Sequence, residues 1–117
     1  MFFEVRFGDR PNLITGATIS PDEQILDVGL QAATLTLVLR CVGMEVTGPT
    51  PTMTVYLETT LDLREGKWFS LGAFSSLSGP DEYDLRDFTG VLRYVRWNVK
   101  TLADASVASF TLYGVAR

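Results

Sequence analysis

The sequence predicts an all-β protein, an antiparallel β-sandwich of the jelly-roll type with about eight strands. Apolar and polar residues alternate along several segments, and turn-forming residues recur about every 8–12 residues. Helix-type periodicity is nearly missing. The 117 residues fit one domain, and their 46% hydrophobic and 21% charged content is that of a chain that builds its own core.

The first predicted strand is Phe2–Phe7, which ends at the turn sequence GDRPN. Phe3, Val5 and Phe7 lie on one side of it. A strand this aromatic needs cover, so it either completes its own sheet or joins the edge of a neighbour's sheet. Such an exchange would suit an assembling protein.

The next segment has weaker signals. A short strand is predicted over Leu13–Ile19, with an interruption at Gly16. The following segment, Pro21–Leu30, is either extended or a short helical turn that ends at Gly29. In the helical case, Ser20 and Glu23 would form a capping box.

From residue 33 onward the alternation is stronger. On two strands it places leucines or other apolar residues on one face: Leu35, Leu37 and Leu39, then Met53, Val55 and Leu57. We therefore predict that residues 1–32 are an N-terminal strand and arm-like segment and that 33–117 are the sandwich core of a single domain. The predicted core strands are Ala33–Cys41, Thr52–Thr59, Lys67–Phe74, Tyr83–Phe88, Val91–Val99 and Val107–Val115.

The segment VLRYVRWNV, Val91–Val99, is the strongest strand signal and raises the main functional question. Arg93 shares its apolar face with Trp97, so we expect it near a sheet end, pointing outward or paired with an acid such as Asp87. Tyr94 and Arg96 lie on the other face. Either they contact a glycan or a protein partner, or they make cross-strand pairs in which arginine stacks on aromatic rings opposite Glu or Asp.

The candidate partner or glycan contacts are aromatic and cationic side chains on or beside predicted strands. Two come from the aromatic first strand, one follows the turn LREGK, and two come from the segment Val91–Val99. They are Phe2, Phe3, Trp68, Tyr94 and Arg96.

The residue types present argue against catalysis. The chain has no His, which removes the commonest general base and metal ligand. Its single cysteine, Cys41, shares the apolar face of Leu39 and is interpreted as a buried structural thiol. The acidic segment GPDEYDLRD could hold calcium, but a solvated loop is the favoured interpretation. We therefore expect no catalytic residues, no metal and no cofactor.

Charge and hydropathy limit the partners. The net charge of −4 and pI of about 4.6 make nucleic acid a poor partner. No stretch approaches the roughly 18 apolar residues of a membrane span. The N-terminal MFFEVRFGDR has no basic region before its apolar run, so we expect no export signal.

Three segments carry a resemblance to a known class of proteins: TMTVYLETTLDLREGKWFSLGAF, FTGVLRYVRWNV and FTLYGVAR. Together they resemble small β-sandwich accessory or decoration proteins of tailed-phage or prophage virions, over residues 33–117. A weaker likeness, through the RYVR strand, is to discoidin-type galactose-binding-like jelly rolls. The resemblance implies no catalytic set.

The leading functional hypothesis is a non-enzymatic structural protein that decorates or stabilises a phage-type capsid. Its partner would be the major capsid protein or another virion protein, and we expect a homo-oligomer, for which a trimer is one option. It would be made in the host cytoplasm and reside in the virion. The alternatives are a carbohydrate-binding module and a tail or baseplate component.

Overall fold

Ten β-strands make up the architecture of the computed structural model, which describes residues 2–30 and 32–117. In that part of the chain the helical elements are two 3-10 turns, Asp22–Gln24 and Leu63–Glu65. The strands are β1 (Phe3–Arg6), β2 (Asn12–Ile14), β3 (Thr18–Ile19), β4 (Leu26–Asp27), β5 (Thr34–Val46), β6 (Thr52–Thr60), β7 (Phe69–Ala73), β8 (Tyr83–Thr89), β9 (Tyr94–Ala103) and β10 (Ala105–Ala116).

The strands form two antiparallel sheets that pack face to face, which confirms the predicted all-β sandwich. In sheet I the order is β1-β10-β5-β8, and β2 also pairs with β10. In sheet II the order is β3-β9-β6-β7, and β4 also pairs with β9. Each sheet thus has four strand positions, and the first edge position of each is divided between two short strands. This division is why there are ten strands instead of about eight.

The predicted inward faces are confirmed, because period-2 alternation fixes which side chains share a face. The side chains of Leu35, Leu37 and Leu39 and of Met53, Val55 and Leu57 are fully buried, as is Cys41. Burial raises the pKa of the Cys41 thiol, with a further rise from the nearby Glu82 carboxylate. Trp97 of sheet II meets Phe110 of sheet I edge to face, with ring centroids 5.1 Å apart, at the centre of the core.

The prediction of a single strand over Leu13–Ile19 is wrong, because the segment forms two strands. Asn12–Ile14 pairs with β10 in sheet I, whereas Thr18–Ile19 pairs with β9 in sheet II. The chain crosses between the sheets around Gly16, where the predicted interruption lies.

The predicted capping box is also wrong. The helical turn is only three residues long, its N-cap is Pro21, and no side chain caps it. Ser20 cannot cap it because its backbone N–H donates to the Trp97 carbonyl and its hydroxyl is buried, without a partner among the described residues. Gly29 lies beyond the turn, at a φ of 76°.

The strand predicted over Val91–Val99 begins later, at Tyr94, and extends to Ala103. Gly90 adopts a φ of 73°, and the next two backbone N–H groups bind outside the sheet ladder. Val91 donates to the Ala33 carbonyl, and Leu92 donates to the Thr59 hydroxyl at 2.9 Å. The chain is crossing from one sheet to the other here, so pairing starts only at Tyr94.

Residues 2–30 pack against the rest of the same chain, since their strands pair with β10 and β9. A series of side-chain hydrogen bonds links them to the core: Asn12 donates to the Phe7 carbonyl, Gln24 donates to Asn12, and Trp97 donates through Nε1 to Gln24. Phe7 and Ile14 are part of the buried core cluster. Whether 33–117 is a core that can be separated from 1–32 stays a prediction.

Candidate functional site

Three of the five candidate contact residues meet on the outer face of sheet II. Arg96 of β9 lies opposite Glu58 of β6, and its Nε donates to Glu58 Oε1 at 2.8 Å. The Arg96 guanidinium carbon lies 4.2 Å from the centroid of the Trp68 ring. Tyr94 lies two residues before Arg96 on the same side of the strand and lines the same groove.

This cluster is largely desolvated. The side chain of Arg96 is 18% exposed and that of Glu58 only 10% exposed. Asn98 donates to the second Glu58 oxygen at 3.2 Å, so both carboxylate oxygens accept hydrogen bonds. The arrangement is the cross-strand alternative considered above, an arginine stacked on an aromatic ring and opposed to Glu.

A groove of about 370 Å³, which we call the Trp68 groove, runs beside the cluster. It combines aromatic and apolar surface with the edge of one guanidinium and one carboxylate, groups that could contact a sugar or a peptide. Its lining residues are Asp22, Ile25, Leu63, Trp68, Tyr94 and Arg96.

The other two candidate residues, Phe2 and Phe3, lie in a separate region. Phe3 is on β1 at the edge of sheet I, opposite Ala116 of β10. It lines a cleft of about 540 Å³ that has no lining residue in common with the Trp68 groove. The structure therefore separates Phe2 and Phe3 from the other three candidates, and we call the surface that Phe3 lines the Phe3 cleft; Phe2 is exposed beside Phe3 in the sequence and does not line it. Its lining residues are Phe3, Asp27, Val28, Gly29, Leu30, Ala32, Arg93 and Arg117.

Arg93 lines the Phe3 cleft. It pairs with Asp27, at 3.0 Å from Nη2 to Oδ2, which confirms the expected pairing with an acid, although the acid is Asp27 and not the suggested Asp87. Asp87 instead accepts a hydrogen bond from the Thr36 hydroxyl at 2.6 Å. The expected place at a sheet end is confirmed, since Arg93 immediately precedes β9.

Asp27 is the residue that sequence reasoning missed. Its Oδ1 accepts from the Gly29 N–H at 3.0 Å, which is an Asx turn over the sequence DVG. The hydrogen bond from Arg93, and then that from Gly29, lowers the pKa of the Asp27 carboxyl. The DVG sequence could have indicated the turn, but not the pairing with Arg93, which is 66 residues away.

The acidic segment Asp81–Asp87 is held by hydrogen bonds within the chain. Within residues 2–30 and 32–117, no three His, Cys, Asp or Glu side chains come together as metal ligands would. Each carboxylate of the segment accepts from a different neighbour: Asp81 from Arg40, Glu82 from the Ser78 N–H, Asp84 from the Ser75 N–H and Arg86, and Asp87 from Thr36.

No helix in the described ranges is long and apolar enough to cross a membrane.

Comparison with known proteins shows a likeness of fold. No protein-family model matches the chain, and no curated protein is significantly similar to it. A solved structure with a similar fold is that of YomS, a protein derived from the SPBc2 prophage. The TM-score is 0.54 at 15% sequence identity, and the match covers 99% of this chain and 92% of that one. This chain therefore shares an all-β fold with a prophage-derived protein, and the likeness extends beyond 33–117 into the N-terminal segment.

Proposed function

We propose that this chain is a non-enzymatic structural protein of a phage-type virion that decorates or stabilises the capsid through protein–protein contacts. The observation that carries the proposal is the exposed apolar surface at the Phe3 cleft. Leu30 is 75% exposed and Phe3 is 39% exposed, and both line the cleft together with Val28 and Ala32. Phe2, the residue before Phe3, is 71% exposed. Exposed apolar clusters of this kind mark protein interaction sites.

The composition of the cleft resembles that of a protein interface. Its lining combines the aromatic ring of Phe3 and aliphatic side chains with the charged Asp27–Arg93 pair and Arg117. Interfaces generally have a desolvated apolar centre with aromatic anchors and a polar rim. The likeness to YomS supports a phage-associated role through the fold alone.

The strand order supports the jelly-roll interpretation. The first edge of each sheet pairs with one of the last two strands, so that β1 and β2 lie beside β10 while β3 and β4 lie beside β9. Jelly rolls are a recurrent architecture of viral capsid and lectin domains. The fold is thus compatible with a virion protein and with a carbohydrate-binding module. The residues on the surface of the sandwich must distinguish these two functions.

The proposal is tested by co-sedimentation of the purified chain with particles assembled from the structural proteins encoded beside it. We expect the chain to pellet with the particles, and the double variant F2S/F3S to bind at least about tenfold more weakly, since buried aromatic anchors dominate interface energies. The variant L13S is the control, because Leu13 is as exposed as Phe2 and also lies at the edge of sheet I, but it is remote in sequence from Phe3 and does not line the Phe3 cleft.

Two outcomes would contradict the proposal. One is that the natural chain does not pellet with any particle, and the other is that F2S/F3S, with an unchanged melting temperature, binds as well as L13S does. Separate fractions of heads and tails distinguish a capsid component from a tail or baseplate component.

The second candidate is a carbohydrate-binding module, favoured by the convergence of Trp68, Tyr94 and Arg96 on one groove. Aromatic ring faces and a guanidinium are suitable sugar contacts. A glycan array without signal would reject it. Binding that is unchanged in the variant Y94A would also reject this groove as the site.

A further inference from the structure

Strand β8 is an open edge of sheet I. It pairs with β5 over seven residues without a register shift, and no other strand of the described chain covers its far side. It contains no proline and no lysine, and its three charged residues are of both signs: Asp84, Arg86 and Asp87. Its Leu85 side chain is 61% exposed, and Tyr83 is exposed as well.

The backbone groups that face outward can be assigned from the ladder. The Cys41 N–H donates to the Glu82 carbonyl at 2.9 Å, one step beyond the β5–β8 register. Because hydrogen-bonded pairs alternate along an antiparallel ladder, Asp84 and Arg86 direct their N–H and C=O groups to β5. Leu85 and its neighbours Tyr83 and Asp87 direct theirs to the open side.

The side chains of β8 are self-complementary in one antiparallel register. With Leu85 opposite Leu85 of a second copy, Asp84 faces Arg86 and Tyr83 faces Asp87 across the junction. Opposite charges at facing positions stabilise a strand pair, and like charges destabilise it. Moving the symmetry axis by one residue places Asp84 opposite Asp84, or Arg86 opposite Arg86.

We propose that β8 is the contact for a second copy of this chain, in a two-fold antiparallel pairing centred on Leu85. The Leu85 N–H and C=O would bond reciprocally with those of the other copy. On the outer face, Leu85 continues a row with Val38 of β5 and Tyr113 of β10. The pairing joins this row to its equivalent in the second copy. A cyclic trimer, in contrast, would need a head-to-tail contact between two different surfaces.

The pairing is tested by sedimentation velocity of the purified full chain over a dilution series. We expect a monomer–dimer equilibrium and at least about tenfold weaker dimerisation in L85K, which places two lysines opposite each other. The single variants D84R and R86D should each be monomeric, whereas the double variant D84R/R86D restores opposite charges and should dimerise again.

A natural chain that stays monomeric at the highest concentration would overturn the proposal, as would an L85K variant that dimerises like the natural chain. D84R and R86D also break the Asp84–Arg86 ion pair within the chain and alter the contacts with Ser75, and the double variant can restore that pair. Their melting temperatures are therefore compared with that of L85K, whose side chain is exposed, and a loss of dimerisation counts for the register only where the melting temperature is unchanged.

Cross-linking tests the register independently. Directly opposed residues of a hydrogen-bonded pair have Cα atoms about 5.5 Å apart, within the range of a disulfide. We expect L85C to form a covalent dimer on mild oxidation. In the same register the two copies of residue 83 are offset by four residues along the strands, so their Cα atoms are about 14 Å apart and Y83C should not cross-link. Cross-linking of Y83C in preference to L85C would contradict the register.

Discussion

The two outer faces of the sandwich differ in how their side chains are satisfied. On sheet II, Glu58 accepts hydrogen bonds from Arg96 and Asn98, and Trp68 covers the guanidinium. This face therefore completes its polar contacts within the chain. A ligand on it would have to use what the cluster leaves exposed, chiefly the groove beside Trp68 and Tyr94.

Sheet I has a more apolar outer face. A row of side chains, Leu85, Val38, Tyr113 and Arg6, crosses its four strand positions in register. Arg6 lies over the Tyr113 ring at 5.1 Å, and Leu85 at the other end is exposed. Both edges of this sheet carry exposed apolar side chains, Leu85 on the outer face of β8 and Phe3 of β1 on the side of the sheet that faces the core. The alternation of side chains along a strand gives each sheet an inner and an outer face. The residue types on the outer face then determine whether that face stabilises the fold or binds a partner.

The largest expected effect comes from breaking the sheet II cluster. The variant R96A leaves the Glu58 carboxylate buried without its main partner, and such a loss costs about 3–5 kcal/mol of unfolding free energy. The control R40A removes an exposed pair with Asp81 and should cost less than about 1 kcal/mol. Urea unfolding measures both. Equal losses in the two variants would show that the cluster is not desolvated.

A somewhat smaller effect is expected inside sheet I, where β10 approaches β5 closely at Gly114. A Cβ at Gly114 would overlap the carbonyl oxygen of Thr36, so G114A forces the two strands apart. We expect a loss of roughly 1–3 kcal/mol, the usual cost of overpacking. The control is G16A, where no atom lies within 4 Å of the added Cβ. Thermal unfolding that shows G114A as stable as G16A would contradict the close approach.

The smallest effect concerns the Phe3 cleft, where Asp27 of β4 pairs with Arg93, the residue before β9 of the same sheet. The folded protein lowers the pKa of Asp27 below its usual 3.8, so the contribution of the ionised carboxyl is complete above that value. It is lost as the pH falls through the lower folded pKa. The variant D27N should therefore lower the melting temperature at pH 7, and the difference should vanish in strong acid. A difference in melting temperature that does not depend on pH would show that the effect of D27N comes from packing. The control is D9N, because Asp9 is exposed.

The sequence predicted the sandwich and the inward faces of β5 and β6, because alternation is a local property. It also indicated that Arg96 would either bind a ligand or pair across strands, but not that Glu58 would be the partner. That pairing depends on the register between β6 and β9. The division of Leu13–Ile19 between two sheets and the Asp27–Arg93 pair depend on where the chain crosses between sheets, which no local pattern encodes.

The virion role is tested most directly by hydrogen–deuterium exchange of the chain, alone and bound to particles assembled from the neighbouring structural proteins. We expect added protection in residues 2–6 and 28–30 around the Phe3 cleft, and unchanged exchange in 94–98 on sheet II. Protection confined to 94–98, or no added protection anywhere, would contradict the proposed contact.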